Sequence, residues 1–239
     1  ETADIETASD DYASRFSGPI GEWLLQVQEQ ATLRMLKPYP EATILDVGGG
    51  HAQLTPALIR EGYQVTVLGS DESCNRRITP FLEEGSCQFE VGNVLCLLYS
   101  DNTFDIVISY RFLAHVTHWE TFLSELNRVA KRAIIIDYPT LRSFNSIAPF
   151  LFKFKKNIEQ NTRPYISYEE KQIIKHLRSL NAEPVERYAQ FFWPMVLHRM
   201  LNSPRISSIL EGLVRLSGAT SLLGSPVILK SCKKQVKLH

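Results

Sequence analysis

The sequence lacks several features that would each decide its class at once. Its four cysteines, Cys74, Cys87, Cys96 and Cys232, form no C-x-x-C pair, so neither a metal site nor a disulfide framework is expected. Reduced thiols suit a cytoplasmic protein. No run of about 18 apolar residues and no secretory pattern occurs, which argues against a membrane span. Neither sign of charge is in excess: 26 Lys and Arg face 26 Asp and Glu, for a formal net charge of +0. A protein that grips nucleic acid through its phosphates would carry a basic surplus, so no nucleic-acid partner is expected. With 239 residues, the chain can bury one sizeable core, and a single domain with embellishments is predicted.

What is present is concentrated in residues 42–53, Ala-Thr-Ile-Leu-Asp-Val-Gly-Gly-Gly-His-Ala-Gln. An apolar run with Asp46 near its end breaks into Gly48, Gly49 and Gly50, and a helical pattern (Leu54, Ala57, Leu58) follows. This order predicts a buried parallel strand, a tight turn and a helix start. Glycines there let the backbone approach a ligand closely. A dinucleotide-binding turn would read G-x-G-x-x-G with its acid about 20 residues downstream. Here the acid precedes the glycines and Gln53 stands at the third glycine position.

Strand and helix patterns alternate from this turn onward. Strands are predicted at Gln64–Leu68, Cys87–Val91, from Phe104 to Ser109, and at Ala133–Asp137, with helices near 21–36 and after Thr117-His118-Trp119-Glu120, which has the form of a capping box. Alternation at this spacing implies right-handed crossovers and a parallel sheet. Residues 1–11 are acidic and aperiodic and read as a frayed lead-in.

The spacing Asp46-x-Gly48-x-Gly50 resembles the first motif of the class I S-adenosylmethionine (SAM) methyltransferases, and Leu98–Ser109 resembles that family's loop into strand four. The resemblance covers residues 12–137 well and the rest in outline. It implies an α/β, Rossmann-like doubly wound fold. The sheet would be seven-stranded and mostly parallel, with an antiparallel edge strand and helical cap insertions. It also implies SAM as cofactor and S-adenosylhomocysteine as product. Asp46 would support the amino end of SAM, with Gly48, Gly49 and Gly50 passing under its aminoacyl chain and Gln53 behind them. Tyr12 and Arg15 match a segment that folds over SAM; packing of Tyr12 and Phe16 against the domain is the equal alternative. Asn93 and Val94 stand where adenine is met, and Ser109 and Tyr110 end strand four.

Two departures from the family pattern matter. The acid that takes the ribose hydroxyls falls by register on Gly69, followed by Ser70 and Asp71, and Asp71 is the nearest substitute. Asn93 replaces a common aspartate. Strand four also lacks the Asn/Asp-Pro-Pro-Tyr motif of methyltransferases acting on base amino groups.

The core is expected over about 12–139, 167–192 and 225–234, with cap insertions at about 140–166 and 193–222 over the strand ends, where ligands bind in such sheets. His115 is the candidate catalytic base, being able to accept a proton near neutral pH. Arg111, His115, Tyr138, Phe150, Trp193 and His198 are candidate acceptor contacts, Arg111 because its fork suits acidic groups. The acceptor expected is small or lipid-like and apolar, methylated at oxygen. An inactive scaffold of the same fold, or N- or C-methylation, is the alternative. Phe150 with Lys153, Lys155 and Lys156 also suits a weak membrane-surface contact; oligomeric state is not encoded legibly.

Overall fold

The computed structural model describes residues 2–144 and 165–234. Seven strands, β1 (Thr43–Val47), β2 (Gln64–Gly69), β3 (Cys87–Val91), β4 (Phe104–Ser109), β5 (Ala130–Tyr138), β6 (Ala182–Ala189) and β7 (Val227–Lys233), form one sheet in the order β3-β2-β1-β4-β5-β7-β6. The pairs among β1 to β5 are parallel, and β7 runs antiparallel between β5 and β6. The strand order reverses at β1, so the carboxyl ends of β1 and β4 flank the crevice of a doubly wound sheet.

The central strands are buried on both faces, which is why they read as unbroken apolar runs. Leu45, Val47, Val107, Ile134 and Ile136 pack on one face with Phe122, Leu123 and Leu126 of α6 (Trp119–Val129). Ile44, Ile106, Ile108 and Ile135 pack on the other with Ala31, Met35 and Leu36 of α3 (Gly18–Leu36) and Leu58 of α4 (Thr55–Arg60). Because side chains alternate along a strand, Asp46 emerges on the same face as Ile44.

The remaining helices among the described residues are α1 (Ala3–Thr7), α2 (Asp10–Ser14), α5 (Thr79–Glu83), α7 (Glu170–Ser179), α8 (Met195–Leu201), α9 (Pro204–Leu216) and α10 (Ala219–Leu223). No described helix is long and apolar enough to cross a membrane.

Several local expectations need correction. Residues 3–7 and 10–14 are helical, and Asp4 is fully buried, so the lead-in is docked rather than frayed. Helix α6 starts at Trp119, which puts His118 rather than Thr117 in the cap position. The spacing of Ile206, Ile209, Leu213 and Leu216 on α9 reads as an apolar helix stripe, yet these residues face outward, with Leu216 88% exposed. The inward side carries Ser207 and Glu211 instead. Glu211 wins that position because its carboxylate accepts hydrogen bonds from the Phe192 and Trp193 amides at 2.9 Å each and lies 3.0 Å from His198 Nε2. Periodicity locates an apolar face but cannot show that a polar network claims the interior.

This arrangement predicts an inverted mutational pattern on α9. Ile209→Ser and Leu213→Ser should each change unfolding free energy by no more than about 0.5 kcal/mol. Glu211→Ala should cost about 2–4 kcal/mol, since it leaves buried donors unpaired. Urea titration measures all three, and the opposite ranking would mean that the apolar stripe faces inward.

Candidate functional site

The crevice at the ends of β1 and β4 is built from a turn that only small residues permit. Gly48 has φ 77° and Ala52 φ 57°, both left-handed. A Cβ on Gly49 would sit 2.2 Å from the Asp46 carboxyl, and one on Gly48 2.6 Å from the Phe112 ring. The turn therefore wraps the Asp46 carboxylate so closely that no side chain larger than hydrogen fits.

Asp46 is 0% exposed, and neither of its carboxylate oxygens has a hydrogen-bond partner among the described residues. Burial pushes its carboxyl up to about 7. Such an acceptor is costly unless a donor arrives. Across the crevice, Ser109 Oγ donates to the Val47 carbonyl at 2.9 Å, and the Tyr110 hydroxyl is paired with that of Thr32 at 2.6 Å. Tyr110 is therefore fastened to α3 and its phenol is held well above its usual range by burial.

Arg111 adopts φ 58°, which turns its amide onto Asp137 Oδ1 at 2.5 Å. Its guanidinium donates to Gln28 Oε1 at 2.8 Å and lies 3.9 Å from the centre of the Phe16 ring. The Nη1 of Arg111 and the Nε2 of Gln28 are buried without partners among the described residues. Burial lifts Asp137 to about 6, against the Arg111 amide bond and charge. His51, buried in the turn, is pushed down to about 3 by burial and the Arg111 charge, so it stays neutral. A cleft of about 630 Å3 opens beside the turn, lined by Phe16, Glu22, His51, Gln53, Arg76 and Arg77 among others.

The structure gathers Asp46, Gly48, Gly49, Gly50, Gln53, Ser109, Tyr110 and Arg111 at these strand ends. Tyr12 and Arg15 lie on and just after α2, with the Arg15 guanidinium 5.3 Å from the Tyr12 ring centre. Asp71 is exposed and caps the turn after β2 by accepting from Ser73 N at 2.9 Å. Asn93 is likewise spent locally, accepting from Leu95 N at 2.9 Å, while Val94 is buried. His115 is half-buried in the turn after β4, its ring 5.8 Å from that of Tyr165. Tyr138 is fully buried in the core. Trp193 stacks edge-on with Phe144, and His198 packs against Trp23 and Phe191 while held by Glu211. Phe150 lies outside the described residues, as do Lys153, Lys155 and Lys156.

Sequence reading missed Asp4, whose carboxylate accepts from the Ser70 amide at 2.6 Å and from the Ser70 hydroxyl. Nothing in an aperiodic acidic segment signals a contact 66 residues away. Gln28 was also missed, because its helix stripe reads as apolar packing.

The raised Asp46 carboxyl fixes a sign for stability. Its folded-state value lies above that of an unfolded aspartate, so its contribution is fully present below about pH 4 and is lost as pH rises through about 7. Asp46→Asn should therefore unfold several degrees higher than the parent at pH 8, with the gap closing toward pH 4. Thermal unfolding of ligand-free protein across that range reads this out; parallel curves would contradict it.

Residues 45–135 match the methyltransferase domain family. An uncharacterized methyltransferase of Schizosaccharomyces pombe is 34% identical over 116 residues, which are 43% of this chain and 41% of the yeast protein. The chain thus spans less than half the length of that curated relative. Among solved structures, magnesium protoporphyrin IX methyltransferase from Synechocystis PCC 6803 with bound S-adenosylhomocysteine superposes with a TM-score of 0.66 at 14% identity, covering 94% of each chain. The 1,6-didemethyltoxoflavin-N1-methyltransferase of Burkholderia thailandensis gives 0.57 at 15% identity, covering 87% of this chain and 77% of that one. Both likenesses are of fold, and the match of residues 45–135 is of sequence. On that match, residues 45–135 are a methyltransferase domain, set in a sheet with the Rossmann-like methyltransferase fold.

Proposed function

We propose that the protein transfers the methyl group of SAM to an oxygen of a small or lipid-like apolar acceptor. The observation that carries this reading is the buried Asp46 carboxylate, enclosed by the glycine turn and without a hydrogen-bond partner among the described residues. It suits the ammonium of the methionyl chain, a charge-assisted partner of the kind such a site lacks. Gly48, Gly49 and Gly50 would hold the aminoacyl chain, Gln53 would supply its partnerless buried Oε1, and Asn93 and Val94 would flank adenine. When bound, SAM supplies an activated methyl carbon on a sulfonium.

The chain's own tasks are then alignment and exclusion of water. Arg111, with one buried guanidinium nitrogen unspent at the end of β4, supports recognition of an acidic oxygen on the acceptor, which is the basis for preferring oxygen. Phe16, fixed beneath that guanidinium, shields the same space from solvent. His115, in the turn leading from β4, is proposed to face the acceptor and take the proton of a phenol or alcohol; a carboxylate would need no base. Residues 193–222, with Trp193 and His198, are proposed to cover the acceptor. Of the first cap segment, 145–164 lies outside the described residues.

Calorimetric titration with S-adenosylhomocysteine tests the reading. Binding in the micromolar range is expected, with Asp46→Asn weakening it by about 1–3 kcal/mol, roughly 5- to 150-fold. Absence of binding at millimolar ligand would overturn it. His115→Gln should leave that affinity within about twofold and, for a phenolic acceptor, lower kcat by about 10²-fold or more.

A further inference from the structure

Helix α1 (Ala3–Thr7) lies at the carboxyl end of β2, on the side of the crevice where the nucleoside half of the cofactor would sit. Asp4 is 0% exposed. Its Oδ2 accepts from the Ser70 amide at 2.6 Å, its Oδ1 accepts from the Ser70 hydroxyl, and Cys74 Sγ lies 3.5 Å from Oδ2. Ser70 and Cys74 belong to the turn that follows Gly69, the register position of the ribose-binding acid. The Cys74 carbonyl presses so closely on the glycine turn that a Cβ on Gly50 would sit 2.3 Å from it. Beside Asp4, Ala3 is buried in the cluster containing Leu45, Leu68, Val94 and Leu97. Leu68 lies near the end of β2 and Val94 three residues beyond β3, so Ala3 shares an apolar cluster with residues at both strand ends.

A carboxylate removed from water persists only where donors replace its hydration, and Ser70 with Cys74 supplies them. The contact is therefore a specific latch rather than a loose terminus. Further along the same segment, Asp10 pairs with Arg77 at 2.7 Å and Ser9 caps α2 by accepting from Tyr12 N at 3.2 Å. A nucleoside whose ribose reached Ser70 at the end of β2 would compete with Asp4 for that space.

We propose that α1 is an internal plug: in the ligand-free protein it fills the adenosine end of the cofactor cleft, latched by Asp4 on Ser70, and cofactor binds only as α1 is displaced. The proposal rests on the SAM reading above. It makes apparent affinity the intrinsic affinity multiplied by the fraction of molecules with the plug released. Loosening the latch must then tighten binding, which is the opposite of what loss of a ribose-contacting acid would do.

The test is titration of S-adenosylhomocysteine into the full chain and its Asp4→Ala variant, with hydrogen exchange on both. Asp4→Ala should bind at least about fivefold more tightly, and ligand should speed exchange at residues 3–8 while slowing it at 48–51. Ser70→Ala, which removes only the hydroxyl donor and keeps the amide, should shift affinity the same way by less; it also guards against misfolding of the first variant. Equal or weaker binding by both variants, or ligand-induced protection of residues 3–8, would overturn the plug and make α1 a cover over bound cofactor. Failure of parent and variants alike to bind would overturn the SAM reading and the plug with it.

Discussion

A single buried carboxylate, without a hydrogen-bond partner among the described residues, organises this fold's working end. Asp46 sits on β1 beside the central strand β4, 0% exposed, and Gly48 to Gly50, one residue beyond it, are the only run of consecutive glycines in the sequence. The two facts are one constraint, because the turn has to fold back over the carboxyl and any Cβ at Gly49 would collide with it. The geometry stores an unsatisfied acceptor in a low-dielectric pocket, at a cost to the ligand-free protein. Such a cost is tolerated where a ligand supplies the missing donor. The rest of the crevice follows from this position. Phe112 packs onto Gly48, Ser109 ties β4 to β1, and the left-handed turn at Arg111 sends its amide to Asp137 and its guanidinium to Gln28.

Charge around Asp46 is arranged so that neighbours do not satisfy it. Arg111 follows the end of the neighbouring strand β4, yet its side chain is held by Gln28 and the Phe16 ring and its amide by Asp137. His51 is kept neutral by burial and by that same arginine. A cation placed directly on Asp46 would lower its carboxyl and compete with an incoming ammonium. Polar groups left with unspent capacity among the described residues, including Asp46, Gln28 Nε2, Gln53 Oε1 and Arg111 Nη1, are the means by which this crevice can recognise a polar ligand.

The sheet and the glycine turn were legible because local patterning determines them. Both faces of β1, β4 and β5 are covered, so these strands read as continuous apolar runs, and the Asp46 to Gly50 spacing lies within a handful of residues. What escaped reading depends on long-range pairing. The docking of α1 rests on Asp4 meeting Ser70 across 66 residues. The outward turn of the α9 stripe rests on Glu211 meeting two amides and His198 from preceding segments. Asp71 and Asn93 stand at positions that read as ribose and adenine contacts, yet each caps its own turn, a competition between local and ligand hydrogen bonds that residue identity alone does not reveal.

The central claim is that the glycine turn and Asp46 form the seat of the cofactor's methionyl half. Crystals grown with S-adenosylhomocysteine, with the ligand sulfur located by its anomalous scattering, test it most directly. The account predicts the sulfur in the crevice between the ends of β1 and β4, with the ligand ammonium within hydrogen-bonding distance of Asp46. Ligand density located elsewhere, or an Asp46 carboxylate that stays without a donor in the occupied crystal, would contradict it.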